Sequence, residues 1–207
     1  DLNIPPEISA ASMVVWKAQR IDVECVVRGY MAGSAWSEYK KTGTVAGLSM
    51  PSDMKEGEKF QECLFTPTTK ADVGHDENLT FQQVEDMVGV ALAAELAEMS
   101  VEVYRYAHDI ALEKGIIIAD TKMEFGLING QLSLIDELLT PDSSRFWDAI
   151  GYSPGKSLPN FDKQFVRDWL SHRGWDKEPP APELPDDVVC RTSERYFEAY
   201  KKLTGRD

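Results

Sequence analysis

The stretch Ile116-Ile117-Ile118-Ala119-Asp120-Thr121-Lys122-Met123-Glu124-Phe125-Gly126-Leu127-Ile128-Asn129-Gly130-Gln131-Leu132-Ser133-Leu134-Ile135-Asp136-Glu137 decides how this chain folds. Two β-type runs flank Asn129-Gly130, a dipeptide that tolerates positive φ and is the strongest short-range hairpin signal. In the first run Asp120, Lys122 and Glu124 alternate, so the strand period places all three on one face. Charged side chains are seldom fully buried unless paired or metal-bound, so that face is not core. The return run brings Asp136 and Glu137, and the loop after it brings Asp142 and Arg145. Carboxylates gathered beside Lys and Arg are the ingredients of a Mg-nucleotide site, with oxygen ligands for the metal and cations for phosphate charge.

The hairpin register decides which way Asp136 faces. A two-residue turn would set Met123 opposite Asp136 and aim Asp136 away from Glu124. A three-residue loop, Ile128-Asn129-Gly130 with Gly130 in the αL position of a G1 bulge, pairs Leu127 with Gln131, Glu124 with Leu134 and Lys122 with Asp136. Local propensity does not separate the two turns.

The 207 residues suffice for one full core, and 43% apolar with 28% charged residues is ordinary globular composition. Acidic residues outnumber basic ones 35 to 22 for a formal charge of −13, which leaves no basic footprint for nucleic acid. No apolar run approaches a membrane span. Cys25, Cys63 and Cys190 lie far apart without metal-ligand spacing and read as reduced thiols of a cytoplasmic protein. The chain opens on Asp1 and a linker-like Leu-Asn-Ile-Pro-Pro, so a preceding segment is expected.

Met13 to Val27 is strand-like. Arg28-Gly29-Tyr30-Met31-Ala32-Gly33-Ser34 then reads either as a loop whose glycines let backbone approach a ligand, or as a plain strand-to-helix turn with Ser34 as N-cap of Ala35–Lys40. Gly43 marks that helix's end. Leu48 to Asn78 reads as a long ordered loop with short strands, carrying the polar clusters Phe65-Thr66-Pro67-Thr68-Thr69-Lys70 and His75-Asp76-Glu77-Asn78. Taken alone, His75 is a solvated loop residue. Thr80 and Gln83 form a capping box, Gly89 divides a short helix from a long one, and Leu92, Leu96, Met99, Val103, Tyr106 and Ile110 make a stripe to be buried. Phe161–Ser171 is a short helix buried on Phe165, Val166, Trp169 and Leu170, and Asp186–Leu203 is a last amphipathic helix with Tyr196 and Tyr200 facing the body.

Arg28-Gly-Tyr-x-x-Gly-Ser34, Thr66-Pro-Thr-Thr-Lys70, His75-Asp-Glu-Asn78, Asp120-x-Lys122-x-Glu124-Phe-Gly126, Asp136-Glu-x-x-Thr-Pro-Asp-Ser-Ser-Arg145 and Asp162-Lys-Gln164 occur in the order found in the SAICAR synthetase family. The resemblance runs from about Met13 to Leu170 and is closer to the longer, yeast-like branch. It implies an α+β fold of ATP-grasp or kinase-like two-lobed architecture, here mainly the larger lobe, an antiparallel sheet with flanking helices over 28–207. Residues 1–27 would be linker and hinge from an N-terminal, ATP-covering β lobe that this chain lacks.

The resemblance further implies an ATP-dependent ligase of purine biosynthesis that joins L-aspartate to the carboxylate of the aminoimidazole ribonucleotide CAIR. By motif, Glu124 and Asp136 would hold Mg with ATP, and Lys122 would neutralise phosphate or the activated carboxylate. One ion cannot be ligated from both sides of a sheet, so this implied pair selects the bulged register of the hairpin, with Gly130 at positive φ. Arg28, Ser34 and Arg145 would grip CAIR, with Asp120 beside the reacting groups. Backbone at Arg20, Ile21 and Asp22 would be the adenine hinge, with Glu24 near the ribose. His75, Asp76, Lys163, Gln164 and Arg167 are placed with the substrates. The rival readings are another small-molecule kinase on this scaffold and a non-catalytic nucleotide-binding fragment. Oligomeric state is not legible.

Overall fold

A computed structural model describes residues 4–10, 12–70, 76–156, 160–161, 163–176 and 178–206. In chain order the elements are α1 (Pro6–Ser9), β1 (Gln19–Tyr30), α2 (Gly33–Thr42), β2 (Thr44–Val45), β3 (Leu48–Ser49), β4 (Lys59–Phe65), β5 (Thr68–Thr69), α3 (Phe81–Val88), α4 (Val90–Glu113), β6 (Ile116–Ile128), β7 (Gln131–Leu134), β8 (Ser144–Asp148), α5 (Gln164–His172) and α6 (Asp186–Thr204). The fold is α+β. The long strands β1 and β6 run antiparallel at the centre of one sheet, with β4 and β5 along the outer edge of β1 and β7 and β8 along that of β6. Among the described residues no helix is long and apolar enough to cross a membrane.

The central ladder sets the two faces. Glu24 pairs with Glu124, Cys25 with Met123, Val26 with Lys122, Val27 with Thr121 and Arg28 with Asp120. Opposed residues share a face, so Val23, Cys25, Val27, Met123 and Phe125 turn together into a core with Ala93, Leu96 and Tyr104 of α4. Glu24, Arg28, Asp120, Lys122 and Glu124 turn the other way. Ile116 and Ile118 belong to the same core as Met123 and Phe125. The change from even to odd positions is made where the β6–β8 ladder shifts between Ile118 and Asp120. An extra residue at that point inverts the alternation of the strand.

Four expectations need correction. The strand begins at Gln19, and Met13, Val14, Val15 and Trp16 ahead of it are exposed by 70–85%. The hairpin uses the two-residue turn: Ile128 pairs with Gln131, Leu127 with Leu132 and Phe125 with Leu134. Asn129 at φ 53 and Gly130 at φ 79 both take the left-handed conformation, which matches the twist of the flanking strands and so prevails over a bulge. The stripe on α4 holds only in its first part: Leu96 is buried and Leu92, Met99 and Val103 pack against the core, but the buried line passes through Ala93, Ser100, Tyr104, His108 and Ala111, and Tyr106 is 74% and Ile110 42% exposed. Close approach of helix to sheet explains this choice of small and hydrogen-bonded residues. Tyr104 Oη donates to the Ile118 carbonyl at 2.7 Å, and a Cβ on Gly29 would lie 2.0 Å from the Tyr104 hydroxyl oxygen. Tyr200 on α6 is 44% exposed rather than turned to the body, while Tyr196 does reach inward to donate to Asp142 Oδ1 at 3.2 Å.

Other local readings hold. Thr80 and Gln83 exchange both capping-box bonds, and Gly89 separates α3 from α4. Gly43 ends α2 in the left-handed conformation. The strand does not end at Val27, however: β1 runs on through Arg28, Gly29 and Tyr30, with a register shift against β4 between Arg28 and Tyr30, so only Met31 and Ala32 separate it from α2.

Candidate functional site

The outward face of β1 and β6 carries two ion clusters. In the first, the Arg28 guanidinium spends its donors on three acceptors: Nη1 on Asp120 Oδ2 at 2.8 Å, Nε on Thr66 Oγ1 at 3.0 Å and Nη2 on Ser34 Oγ at 2.9 Å. Arg145 Nη1 donates to the same Asp120 oxygen at 2.5 Å. Ser34 is therefore not the N-cap of α2; Ala32 holds that place and the Ser34 hydroxyl serves Arg28. Gly33, at φ +57, makes room for Arg145, because a Cβ there would sit 2.2 Å from Nη2. Burial pulls the Arg28 pKa below its usual value, Asp120 opposes the fall and Arg145 adds to it.

The second cluster forms around the cross-strand pair Glu24 and Glu124. Lys122 Nζ donates to Glu24 Oε1 at 2.8 Å and to Glu124 Oε1 at 3.0 Å. Lys70 Nζ reaches Glu124 Oε1 at 2.6 Å and Glu24 Oε1 at 3.3 Å. Burial works against the Lys122 ammonium, yet its bonds to Glu24 and Glu124 hold its pKa above the usual lysine range. Burial likewise pushes the Glu124 carboxyl up, and the two lysines outweigh it and hold it low.

Thr140-Pro-Asp-Ser-Ser delivers Arg145. Asp142 and Ser143 amides donate to Thr140 Oγ1, and Lys122 N donates to the Ser143 carbonyl at 2.9 Å, stitching this turn to β6. Between the clusters opens a cavity of about 310 Å³ whose lining includes Arg28, Asp76, Asp120, Lys122, Arg145, Lys163 and Arg167. Arg145 also lines an adjoining cavity of about 390 Å³ with Gln164. The structure thus gathers Arg28, Asp76, Asp120, Lys122, Arg145, Lys163, Gln164 and Arg167 around two cavities that share Arg145. His75 lies outside the described residues.

Ile21 is buried in the core, and the Arg20 and Asp22 side chains beside it bond each other at 2.7 Å. Asp136 does not enter the register expected of it. The Ile135 amide donates to the Glu124 carbonyl at 3.1 Å, so Glu124 faces Ile135 and the regular ladder persists to the strand end. Asp136 then sits exposed in a bend past β7. Strand alternation does not govern a residue outside the strand, so the inference from a shared face to a register fails at its premise. Among the described residues there is no group of three or more His, Cys, Asp or Glu that could hold a metal ion.

Sequence reasoning missed Thr66 and Lys70 as members of these clusters. Their polar run was noticeable, but only β5 pairing with β1 at Val23 and Glu24 brings Lys70 to Glu124. It also missed Glu38, which accepts from Thr44 Oγ1, the Ala46 amide and Asn78 Nδ2, and so fastens α2 to the segment carrying Asp76.

Fold and site define an α+β protein whose central sheet is covered by helices on one face and presents an open, charged binding surface on the other. The model of the family described as SAICAR synthetase matches residues 4–182. A phosphoribosylaminoimidazole-succinocarboxamide synthase of Geobacter sulfurreducens is 48% identical over 201 residues, covering 97% of this chain and 68% of the relative. The SAICAR synthase of Saccharomyces cerevisiae, solved complexed with SAICAR, superposes with a TM-score of 0.82 at 47% identity, covering 92% of this chain and 62% of that one. A SAICAR synthetase in complex with ADP superposes with a TM-score of 0.67 at 26% identity, over 92% of this chain and 66% of that one. The chain belongs to the SAICAR synthetase family. It spans about two thirds of the length of the relatives it matches.

Proposed function

We propose that this chain carries the substrate-binding surface of an ATP-dependent ligase that joins L-aspartate to the carboxylate of CAIR, giving SAICAR, ADP and phosphate. The observation that carries the reading is the juxtaposition, on one sheet face, of an arginine pair, Arg28 buried and Arg145 partly so, and a lysine–carboxylate cluster around a common cavity. The relatives' names and the SAICAR and ADP found in neighbouring structures agree with it.

A carboxylate is a poor electrophile until one of its oxygens becomes a leaving group, and phosphoryl transfer asks of protein chiefly positioning and charge neutralisation. Arg28 and Arg145 share one acid, so the pair retains positive charge for an anionic nucleotide substrate. Ser34 and Thr66 fix the plane of Arg28, and Asp120 fixes the distance between the guanidiniums. Lys122, lying between this pair and Glu124, is placed to meet charge that develops on the transferred group. Lys163, Gln164, Arg167 and Asp76 complete the substrate walls. His75 is assigned with them by motif. Arg20, Ile21, Asp22 and Glu24 are assigned to the adenosine part of ATP.

Carboxylate oxygens suit Mg²⁺; Glu124, on the site face, would hold the ion with ATP, whereas Asp136, exposed in the bend past β7, is assigned to it by motif alone. When bound, the ion neutralises phosphate charge. Free thiols at Cys25, Cys63 and Cys190 accord with a cytoplasmic setting.

The test is ADP release by the full-length protein with CAIR, L-aspartate, ATP or Mg²⁺ omitted in turn. The expected result is a requirement for all. Turnover with CAIR that is indifferent to aspartate would replace the ligase reading by a kinase.

A further inference from the structure

Two lysines bracket Glu124, and the reading above employs one. Lys70 follows β5, which pairs with β1 at Val23 and Glu24, whereas Lys122 stands on β6. The two ammoniums therefore reach Glu124 from different strands. Each bonds the same pair of oxygens, Glu24 Oε1 and Glu124 Oε1, which closes an alternating ring of two acids and two bases. Glu24 and Glu124 are direct cross-strand partners, an arrangement of like charges that is unfavourable without compensation. The Lys70 side chain is 28% exposed while both carboxylates are nearly covered. The solvent-reachable members of the ring are thus its two cations, Lys122 being 32% exposed, and either ammonium can exchange a carboxylate for a more highly charged oxyanion.

Resting on the assignment of ATP as substrate, we propose that Lys70 is a ligand of the nucleotide phosphates. In the nucleotide-free protein its ammonium is stored on Glu124. On binding it turns to a phosphate oxygen, and the Glu124 carboxylate is released to face the cation that accompanies the polyphosphate. No covalent step is involved; one charge-assisted hydrogen bond is exchanged for another.

The experiment compares full-length wild type, Lys70→Met and Lys70→Arg by calorimetric titration with Mg-ADP and, separately, with adenosine. Lys70→Met should weaken Mg-ADP roughly ten- to hundredfold, the loss of one hydrogen bond to a charged group. Adenosine binding should be unchanged and Lys70→Arg should recover most of the loss. If Lys70→Met binds Mg-ADP as wild type does and loses only thermal stability without ligand, Lys70 merely screens the acids and the proposal is wrong. A variant that does not fold leaves a direct measurement on wild type: the Lys70 Nζ resonance should move with ADP and not with adenosine, and its failure to move overturns the assignment. Wild type that binds no Mg-ADP at all overturns the ATP reading and this assignment together, an outcome distinct from loss confined to the variant.

Discussion

The two ion clusters stand one helical-turn's worth of sequence apart on the same pair of strands, yet they differ in balance and in freedom. At the arginine end one oxygen, Asp120 Oδ2, serves both Arg28 and Arg145, so positive charge is left over. Arg28 is further tied to Thr66 and Ser34, and its side chain is 8% exposed. At the other end two carboxylates face two lysines, formal charge cancels, and the lysines are about a third exposed. A buried, unbalanced, rigid cluster is preorganised for an anion that must always be gripped in one pose. A balanced cluster of flexible ammoniums suits a ligand that arrives with its own cation and leaves altered. The same ladder supplies both because Arg28 opposes Asp120 while Glu24 opposes Glu124.

The sharpest way to break this contrast is to remove each cluster's acid. Asp120→Ala leaves two guanidiniums without their carboxylate, and stability should fall by about 3–5 kcal/mol in denaturant unfolding, the cost of an uncompensated buried charge. Glu24→Gln should cost about 1 kcal/mol, as for a partly exposed pair. Equal losses would mean that the two ends do not differ in rigidity. Next in size, Arg145→Ala should raise the CAIR concentration required by one or more orders of magnitude, roughly one charged hydrogen bond, with ADP affinity little changed. Parallel weakening of both ligands would show that the ends are not separate subsites.

A smaller effect concerns acid. Burial favours the neutral Glu124 carboxyl, but bonds from Lys70 and Lys122 prevail and its pKa lies below the ordinary value. A carboxyl depressed in the folded state contributes stability above its unfolded pKa of about 4.3 and loses it as pH falls through the folded value. The melting temperature of wild type should therefore drop more steeply than that of Glu124→Gln on acidification below about pH 4, and indistinguishable slopes would remove the lysine end as the source. Smallest of all, Thr80→Ala breaks a capping box that touches neither cluster. It should cost about 1 kcal/mol with CAIR and ADP affinities unaltered, and a change in either affinity would show that α3 transmits strain to the site.

How much of this was legible varies with the range of the interaction. The shared face of Asp120, Lys122 and Glu124 follows from period alone, and Asn129-Gly130 announces the turn. The register error arose from letting a presumed ligand pair overrule turn chemistry, when Asp136 lies beyond the strand and places no demand on it. On α4 the stripe was legible from Leu92 to Val103, which meet the core, but not beyond, since the centre of the buried line runs through Ser100 and His108, residues that hydropathy assigns to the surface. The partnership of Glu24 with Glu124 and the arrival of Lys70 depend on which strands become neighbours. Nothing local in β1 or β5 encodes that adjacency.

The pairing of β1 with β6 has a kinetic side as well. Arg28 and Asp120 are separated by 92 positions, Glu24 and Lys122 by 98, and Lys70 and Glu124 by 54. Contacts this distant form only after a large loop has been closed, whereas α3, α4 and the β6–β7 hairpin consist of near neighbours. Both ion clusters therefore come into being only once β1 has paired with β6. Binding of an anionic ligand should accordingly appear in refolding experiments no earlier than that pairing, which makes the site itself a reporter of the central ladder.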